Sequence, residues 1–361
     1  VKQFKIEEST VEINSLAESG FAELLATKYA KSRKIIMVDE NTHDHCLEYL
    51  LTTFSELESA EVMLLPAGEE NKVMEVCFQV WEAMSEYGIV RSDLVINLGG
   101  GVVTDMGGFI ASVFKRGIDF IHIPTSLLAM VDAAIGGKTG IDLGPYKNQI
   151  GTFTQPVAIY VDPAFLHTLP EEELVSGYAE MLKHGLIADK KLWELFSSLD
   201  PIRMVENEHL IDIIARSVDI KAAIVNEDPK ENYVRKSLNF GHTIGHGIEG
   251  FCLMNEPITH GHAVALGMMA ESYLSLKREL LSQREYMLIT NYLSQIYDHI
   301  LLTEEAKQEV IRLIKNDKKN DQEGVRCVLL NGIGRVKIDE IITDAEIHDA
   351  LQSIDNTFSG N

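Results

Sequence analysis

Basic residues are scarce in this chain: 32 Lys and Arg stand against 55 Asp and Glu, a formal net charge of −23. Binding a phosphate backbone needs a basic face, so nucleic acid is excluded as a partner. Long apolar runs are also missing. None approaches the roughly 18 residues needed to span a bilayer, and no membrane partner is expected. The segment Val1-Lys2-Gln3-Phe4-Lys5-Ile6-Glu7-Glu8 lacks a basic-then-apolar leader pattern, so a cytoplasmic protein is expected. Cysteine is sparse: Cys46, Cys77, Cys252 and Cys327 show no CxxC spacing and read as buried thiols in a reducing compartment. There is no internal repeat and no low-complexity linker. What remains is ordinary for a globular enzyme, with 45% apolar and 24% charged residues. A chain of 361 residues is too long for one simple core and suits two packed domains.

The first part of the chain alternates strand-like and helix-like segments. Residues 34–39, 61–65, 93–98, 120–124 and 157–161 are short apolar runs that predict buried strands. Helical periodicity covers 46–59, 73–87 and 104–115. This alternation predicts an α/β domain with a parallel sheet over residues 1–162. After Asp162-Pro163 the pattern turns helical, with segments 171–188, 190–198, 206–225, 235–250, 262–282, 284–297 and 304–314. A late hairpin pairing 326–330 with 334–338 is the exception. A mostly α-helical C-terminal domain over 163–361 follows, with the active site expected in an interdomain cleft.

Gly99-Gly100-Gly101-Val102-Val103-Thr104-Asp105 follows a strand and opens a helix. Such a loop lets backbone amides and the helix dipole meet a phosphate. It departs from GxGxxG, because Thr104 takes the third glycine position, and it is no Walker loop. On its own it could also be a plain strand-to-helix turn. Asp39 and Gly68-Glu69-Glu70-Asn71-Lys72 lie at the ends of other strands, where a carboxylate can meet a ribose and a lysine a pyrophosphate. Lys115-Arg116, Asp132, Gly136-Gly137-Lys138 and Lys147-Asn148 gather cations in an acidic chain, with the two glycines predicting a tight loop that presents Lys138.

Glu180 and Lys183 share a face of a mostly apolar helix, where a buried charge needs a strong partner. His242, His246 and Glu249 fall at i, i+4 and i+7. Three glycines in that stretch would each cost roughly 1 kcal/mol in a helix, so close packing around a site is expected to offset them. His260 and His262 open the next apolar helix. Two imidazoles and a carboxylate are a common catalytic zinc set. Residue chemistry alone leaves open His242 or His246, and His260 or His262.

The motifs GGGVVTDMGGF, PTSLLAMVDAAIGGKTGID, GYAEMLKHGLI, LNFGHTIGHGIE and HGHAVALGM, in this order, resemble those of the 3-dehydroquinate synthase family, members of the sugar-phosphate cyclases. The likeness runs from Asp39 to about Arg335. It implies conversion of 3-deoxy-D-arabino-heptulosonate 7-phosphate to 3-dehydroquinate and phosphate by transient oxidation, elimination, reduction and aldol closure, in aromatic amino-acid biosynthesis. It implies Zn2+ (or Co2+) on Glu180, His242 and His260. NAD would lie on Gly100, Gly101, Val102 and Asp105, with Asp39, Asn41, Glu69 and Lys72 toward the adenosine side. Thr125, Ser126, Lys138, Lys147, Thr168 and Leu169 would complete that site. His246, Lys138, Asn148, Lys183 and Asp132 match its catalytic residues. Lys221, Arg235, Asn239 and Lys318 match its substrate contacts, and Arg116 one that reaches into a partner subunit of a homodimer. Ser126 stands where a second threonine is usual, His262 where a glutamate often stands, and Pro145-Tyr146 where a glycine is common. Lys318 and Lys319 are neighbouring choices for one contact. The rival readings are another sugar-phosphate cyclase, a metal-dependent polyol dehydrogenase, and a non-catalytic NAD- and metal-binding regulator.

Overall fold

The computed structural model describes residues 1–144, 146–315 and 324–359, with the backbone alone at Tyr146. It resolves into two compact units: residues 1–170 with 203–226, and residues 171–202 with 227–361.

Unit one is built on a seven-stranded sheet. Its strands are β1 (Lys2–Ile6), β2 (Ser9–Ile13), β3 (Lys34–Asp39), β4 (Glu61–Leu65), β5 (Leu94–Gly99), β6 (Asp119–Pro124) and, after the hairpin β7 (Lys138–Leu143) and β8 (Tyr146–Phe153), β9 (Ala158–Val161). The order is β1-β2-β9-β6-β5-β3-β4, parallel throughout except for the β1–β2 pair. All six residues of β5 are buried, as befits a central strand of a parallel sheet. The helices Met74–Glu86 and Gly101–Val113 cover one face around Ile35, Met37, Val95, Met106 and Ile110. The parallel sheet and the five expected strands are present. The hairpin β1–β2 was not expected: β1 is a mostly exposed edge strand rich in polar residues, and β2, though mostly buried, carries Ser, Thr and Glu among its five residues. Gly136 and Gly137 do make a tight turn, at φ +105° and +69°, but Lys138 opens strand β7 rather than sitting in a loop. The 46–59 helix ends at Thr53, where Phe54 becomes extended.

The helix Leu210–Glu227 packs with unit one up to Asn226, tied by Lys2–Asp212 at 2.8 Å and by Asn226 Nδ2 to the Lys5 carbonyl at 2.7 Å.

Unit two holds the helices Glu171–Ala188, Lys190–Phe196, His242–Leu253, His260–Lys277, Gln283–Ile296, Glu304–Lys315 and Asp344–Ser359, and a hairpin of β10 (Val325–Leu330) and β11 (Val336–Ile342). The helix His260–Lys277 is buried over most of its length, which explains its unbroken apolar run from Ala263 to Ala270. The expected 235–250 helix is broken in two. A short 3-10 segment, Val234–Asn239, ends at Phe240, and Gly241 at φ +80° reverses the chain before the helix His242–Leu253. A side chain at Gly241 would also strike Met268 and the Val264 carbonyl. All four cysteines are buried free thiols, as expected. Among the described residues no helix is long and apolar enough to cross a membrane.

Candidate active site

In unit one the carboxyl ends of β3, β4, β5 and β6 lie along one edge of the sheet. From β3 the chain moves outward to β4, whereas from β5 it moves the other way to β6. Ligands of open α/β sheets bind where the order reverses in this manner. Asp39 ends β3 and accepts from the Thr42 amide at 2.7 Å in a capping box, which locks the turn next to the exposed Asn41. Gly100 and Gly101 open the helix after β5, and Val102 follows in its first turn. The Thr125 amide bonds the Gly99 carbonyl at 3.0 Å, which draws Thr125 and Ser126 to the same loop. Thr168 and Leu169 close the 3-10 segment that starts at Pro163.

Lys72 links these loops. It is 2% exposed, and its ammonium donates to Asp105 at 2.7 Å and to Asn148 Oδ1 at 2.8 Å. Burial opposes its charge, but Asp105, Glu69 and Asp142 outweigh that and raise its pKa. Burial raises the Asp105 carboxyl, against the pull of Lys72. Lys72 and Lys147 each lie 3.7 Å from Glu69. Asn148 is held at φ +52° by its amide bond to Asp142 at 2.6 Å. Lys221 donates to the Asp132 side chain at 2.5 Å and to its carbonyl at 2.6 Å. Arg116 is different. It precedes β6 in a turn with Lys115, Arg116 and Gly117 all at positive φ, so it sits exposed at the opposite edge of the sheet from Thr125.

In unit two three helices converge on one carboxylate. Glu180 is fully buried and pairs with Lys183 one turn on. Its oxygens meet no hydrogen bond of good geometry, and Oε1 lies 3.5 Å from Nε2 of both His242 and His260. Burial opposes ionisation, yet Lys183, His242 and His260 hold Glu180 well below the usual carboxylate range. The His242 Nδ1–H donates to the Phe240 carbonyl at 3.2 Å, which leaves the Nε2 lone pair toward Glu180. Burial, then the Lys183 charge, lower the His242 pKa well below its usual value and keep the ring neutral. His260 Nδ1 faces Glu249 at 3.4 Å. Burial opposes charge there too, but Glu249 and Glu180 push its pKa up to about 10. His246 completes the group, with ring centroids 5.1 Å from His242 and 5.8 Å from His260. Nitrogen atoms of His242, His246 and His260 all lie within 4.8 Å of one another. A buried carboxylate, a neutral imidazole and a second imidazole gripped by carboxylates fit a divalent cation.

His262 is removed from this group. Its Nε2–H donates to the Asp298 carbonyl at 2.8 Å, beside the Tyr297 ring. Arg235, 2% exposed, is held by a loop that Asp228 organises, accepting from the amides of Asn232, Tyr233 and Arg235 at 3.0, 2.6 and 3.1 Å. Its guanidinium donates to the Pro229 carbonyl at 2.6 Å, and Asn239 donates to Glu231 at 2.6 Å. Asp228 escaped the sequence reading, although Asp-Pro is a turn signal. Glu249 was visible only as a face-mate of His242, and nothing in its spacing pointed to His260. Lys318 and Lys319 lie outside the described residues.

A parallel-sheet unit and a helical unit with these contents define, by fold, the class of sugar-phosphate cyclases and related dehydrogenases. A 2-epi-5-epi-valiolone synthase from Streptomyces hygroscopicus, solved with NAD+ and Zn2+ bound, superposes with a TM-score of 0.84 at 28% identity over 99% of this chain and 98% of that one. A probable glycerol dehydrogenase from Sinorhizobium meliloti shares the fold at a TM-score of 0.61 and 15% identity, each chain covered over 100%. Residues 62–176 match the 3-dehydroquinate synthase N-terminal family and residues 177–320 the 3-dehydroquinate synthase C-terminal family. A 3-dehydroquinate synthase of Parabacteroides distasonis is 39% identical over 336 residues, 93% of this chain and 94% of that one. The chain belongs to the 3-dehydroquinate synthase family.

Proposed function

We propose that the chain converts 3-deoxy-D-arabino-heptulosonate 7-phosphate to 3-dehydroquinate and phosphate, using NAD and a divalent metal, zinc or cobalt. The observation that carries the metal reading is Glu180: fully buried, paired with Lys183 through Oε2, and with Oε1 3.5 Å from two imidazole nitrogens. Glu180, His242 and His260 would hold the metal. Gly100, Gly101, Val102 and Asp105 would hold NAD, with Asp39, Asn41, Glu69, Lys72, Thr125, Ser126, Lys147, Thr168 and Leu169. When bound, the nucleotide would take and return a hydride, and the metal would acidify the hydroxyl it meets.

The rest falls to the chain's own residues. Lys183 neutralises Glu180, and Glu249 orients His260 through Nδ1. His246, Lys138 and Asn148 orient the substrate phosphate, whose own oxygen takes the neighbouring C6 proton as phosphate leaves. Arg235 suits a bidentate contact to the C1 carboxylate, with Lys221 as a second cation, while Asp132 and Asn239 align hydroxyls. Arg116, at the far edge of its sheet, would serve the partner copy in a cytoplasmic homodimer.

The likeness to a valiolone synthase favours a second cyclase reading. The planar Arg235 guanidinium suits a carboxylate-bearing substrate, whereas a substrate without a carboxylate would make no use of that fork. One assay separates the readings: the heptulosonate phosphate, catalytic NAD and zinc, with phosphate release followed in time. Chelator-sensitive release with no net NADH is expected. No release, or NADH accumulating one for one, overturns the proposal.

A further inference from the structure

The helices that carry His242 and His260 both begin without a side-chain cap of their own. The first turn of any helix leaves backbone amides in need of an acceptor, and a local Ser, Thr, Asp or Asn normally supplies it. The residue before His242 is Gly241, which has no side chain to offer. Its φ of +80° and the closeness of Met268 and the Val264 carbonyl bar any larger residue.

The acceptor comes instead from another helix. Glu271 is fully buried on the helix His260–Lys277, about three turns beyond His260. Its Oε2 accepts from the Gly241 amide at 2.6 Å and its Oε1 from the Ile244 amide at 3.1 Å. The helix carrying His260 is pinned in the same manner. The Gly261 amide donates to the Ser176 hydroxyl at 3.1 Å, and Ser176 lies one turn before Glu180 on the helix Glu171–Ala188. Ser176 is 1% exposed. The contacts therefore form a chain: the Glu180 helix holds the start of the His260 helix, and the His260 helix holds the start of the His242 helix.

We propose that Glu271 and Ser176 are positioning residues for the metal site, setting the separation of Glu180, His242 and His260 by capping the ligand-bearing helices in trans. This inference rests on the metal reading given above. A carboxylate buried with no exposure is costly, and two amides at a helix start offset that cost. A site needing only stability could be capped locally. Capping from the neighbouring ligand helix makes the start of one helix depend on the other, and metal affinity depends steeply on ligand placement. The small residues at the crossing point to the same need for close register. A side chain at Gly267 would collide with the Gly241 carbonyl, and one at Gly245 with the Ala263 carbonyl.

The test is zinc affinity of the full chain, measured by competition with a chromophoric chelator, beside the visible spectrum of the cobalt form and the melting temperature without metal. Glu271→Gln keeps the size and one acceptor oxygen but turns an amide N–H toward a backbone donor. Ser176→Ala removes a single oxygen. Each variant is expected to weaken zinc binding by about tenfold or more, and to shift the cobalt bands. Wild-type zinc affinity and cobalt bands in a folded variant overturn the proposal, whatever the change in melting temperature. Should Glu271→Gln fail to fold, Ser176→Ala decides by the same criterion. If the wild-type chain binds no zinc, the metal reading itself falls; equal binding by wild type and variants removes only this inference.

Discussion

At the edge of the sheet in unit one the charged side chains pair with each other at hydrogen-bond distance, whereas in unit two a buried carboxylate pairs with one lysine and faces two imidazoles at longer range. Lys72 has Asp105 at 2.7 Å and Asn148 at 2.8 Å, and Lys221 has Asp132 at 2.5 Å. Glu180 pairs with Lys183 through Oε2, while its Oε1 has two histidine nitrogens at 3.5 Å, a long separation for a hydrogen bond. A nucleotide bound at these residues, as proposed, would compete with pairs already made. A cation held as proposed by Glu180, His242 and His260 would give Oε1 and the two imidazoles closer contacts than they make with each other.

The largest test of that contrast is Glu180→Ala. Loss of the buried carboxylate should remove zinc binding and lower phosphate release by about 10³-fold, the several kcal/mol a bound metal contributes to the reaction. Activity that survives would mean the three histidines suffice as ligands. Arg235→Ala comes next. Hydrogen bonds to a charged group are worth about 1.5–3 kcal/mol, so KM for the heptulosonate phosphate should rise roughly ten- to hundredfold while zinc affinity holds. Equal losses of both would show that Arg235 serves the metal cluster rather than the substrate.

Lys72→Met probes the other side of the comparison. Breaking a buried pair by removing one partner costs about 3 kcal/mol, so denaturant unfolding should register a loss even with no nucleotide present. A variant as stable as wild type would show that Asp105 is not dependent on Lys72. The smallest effect concerns pH. His122 is buried under the glycine-rich helix, accepts from Asn97 at 3.2 Å, and burial depresses its pKa to about 3. The folded chain therefore binds fewer protons than the unfolded one between about pH 6.5 and pH 3. Its stabilising share is present above pH 6.5 and is lost as pH falls toward 3. Between pH 7 and pH 5 that share should shrink by about 2 kcal/mol, and a His122→Gln variant should lack this part of the slope.

Some of this was legible beforehand for plain reasons. Buried parallel strands such as Ile35-Ile36-Met37-Val38 need continuous apolar runs, and such runs stand out. Glu180 and Lys183 are neighbours by helical spacing, which needs no tertiary information. The hairpin β7–β8 was hidden because its glycines and lysines read as a loop, while Gly108 and Thr139 in close contact hold it against the glycine-rich helix. The break at Gly241 was hidden because 235–250 carries a helical pattern on both sides of one left-handed residue.

The five strand segments along the chain, the glycine loop at the end of one of them, the carboxylate helix and the histidine cluster were all set by residue type and local spacing. The motifs in their order identified the family. Residue chemistry left open which histidines meet Glu180; the resemblance implied His242 and His260, and the packed helices bring those two to 3.5 Å from it. His260 and His262 are equivalent by composition, but the turn of the helix sends one toward Glu180 and Glu249 and the other to the Asp298 carbonyl. Glu271 gave no signal in the chain at all, since its partners Gly241 and Ile244 lie far from it in sequence and are backbone amides. Local chemistry is written residue by residue, whereas a helix start capped from another helix exists only once the two have packed.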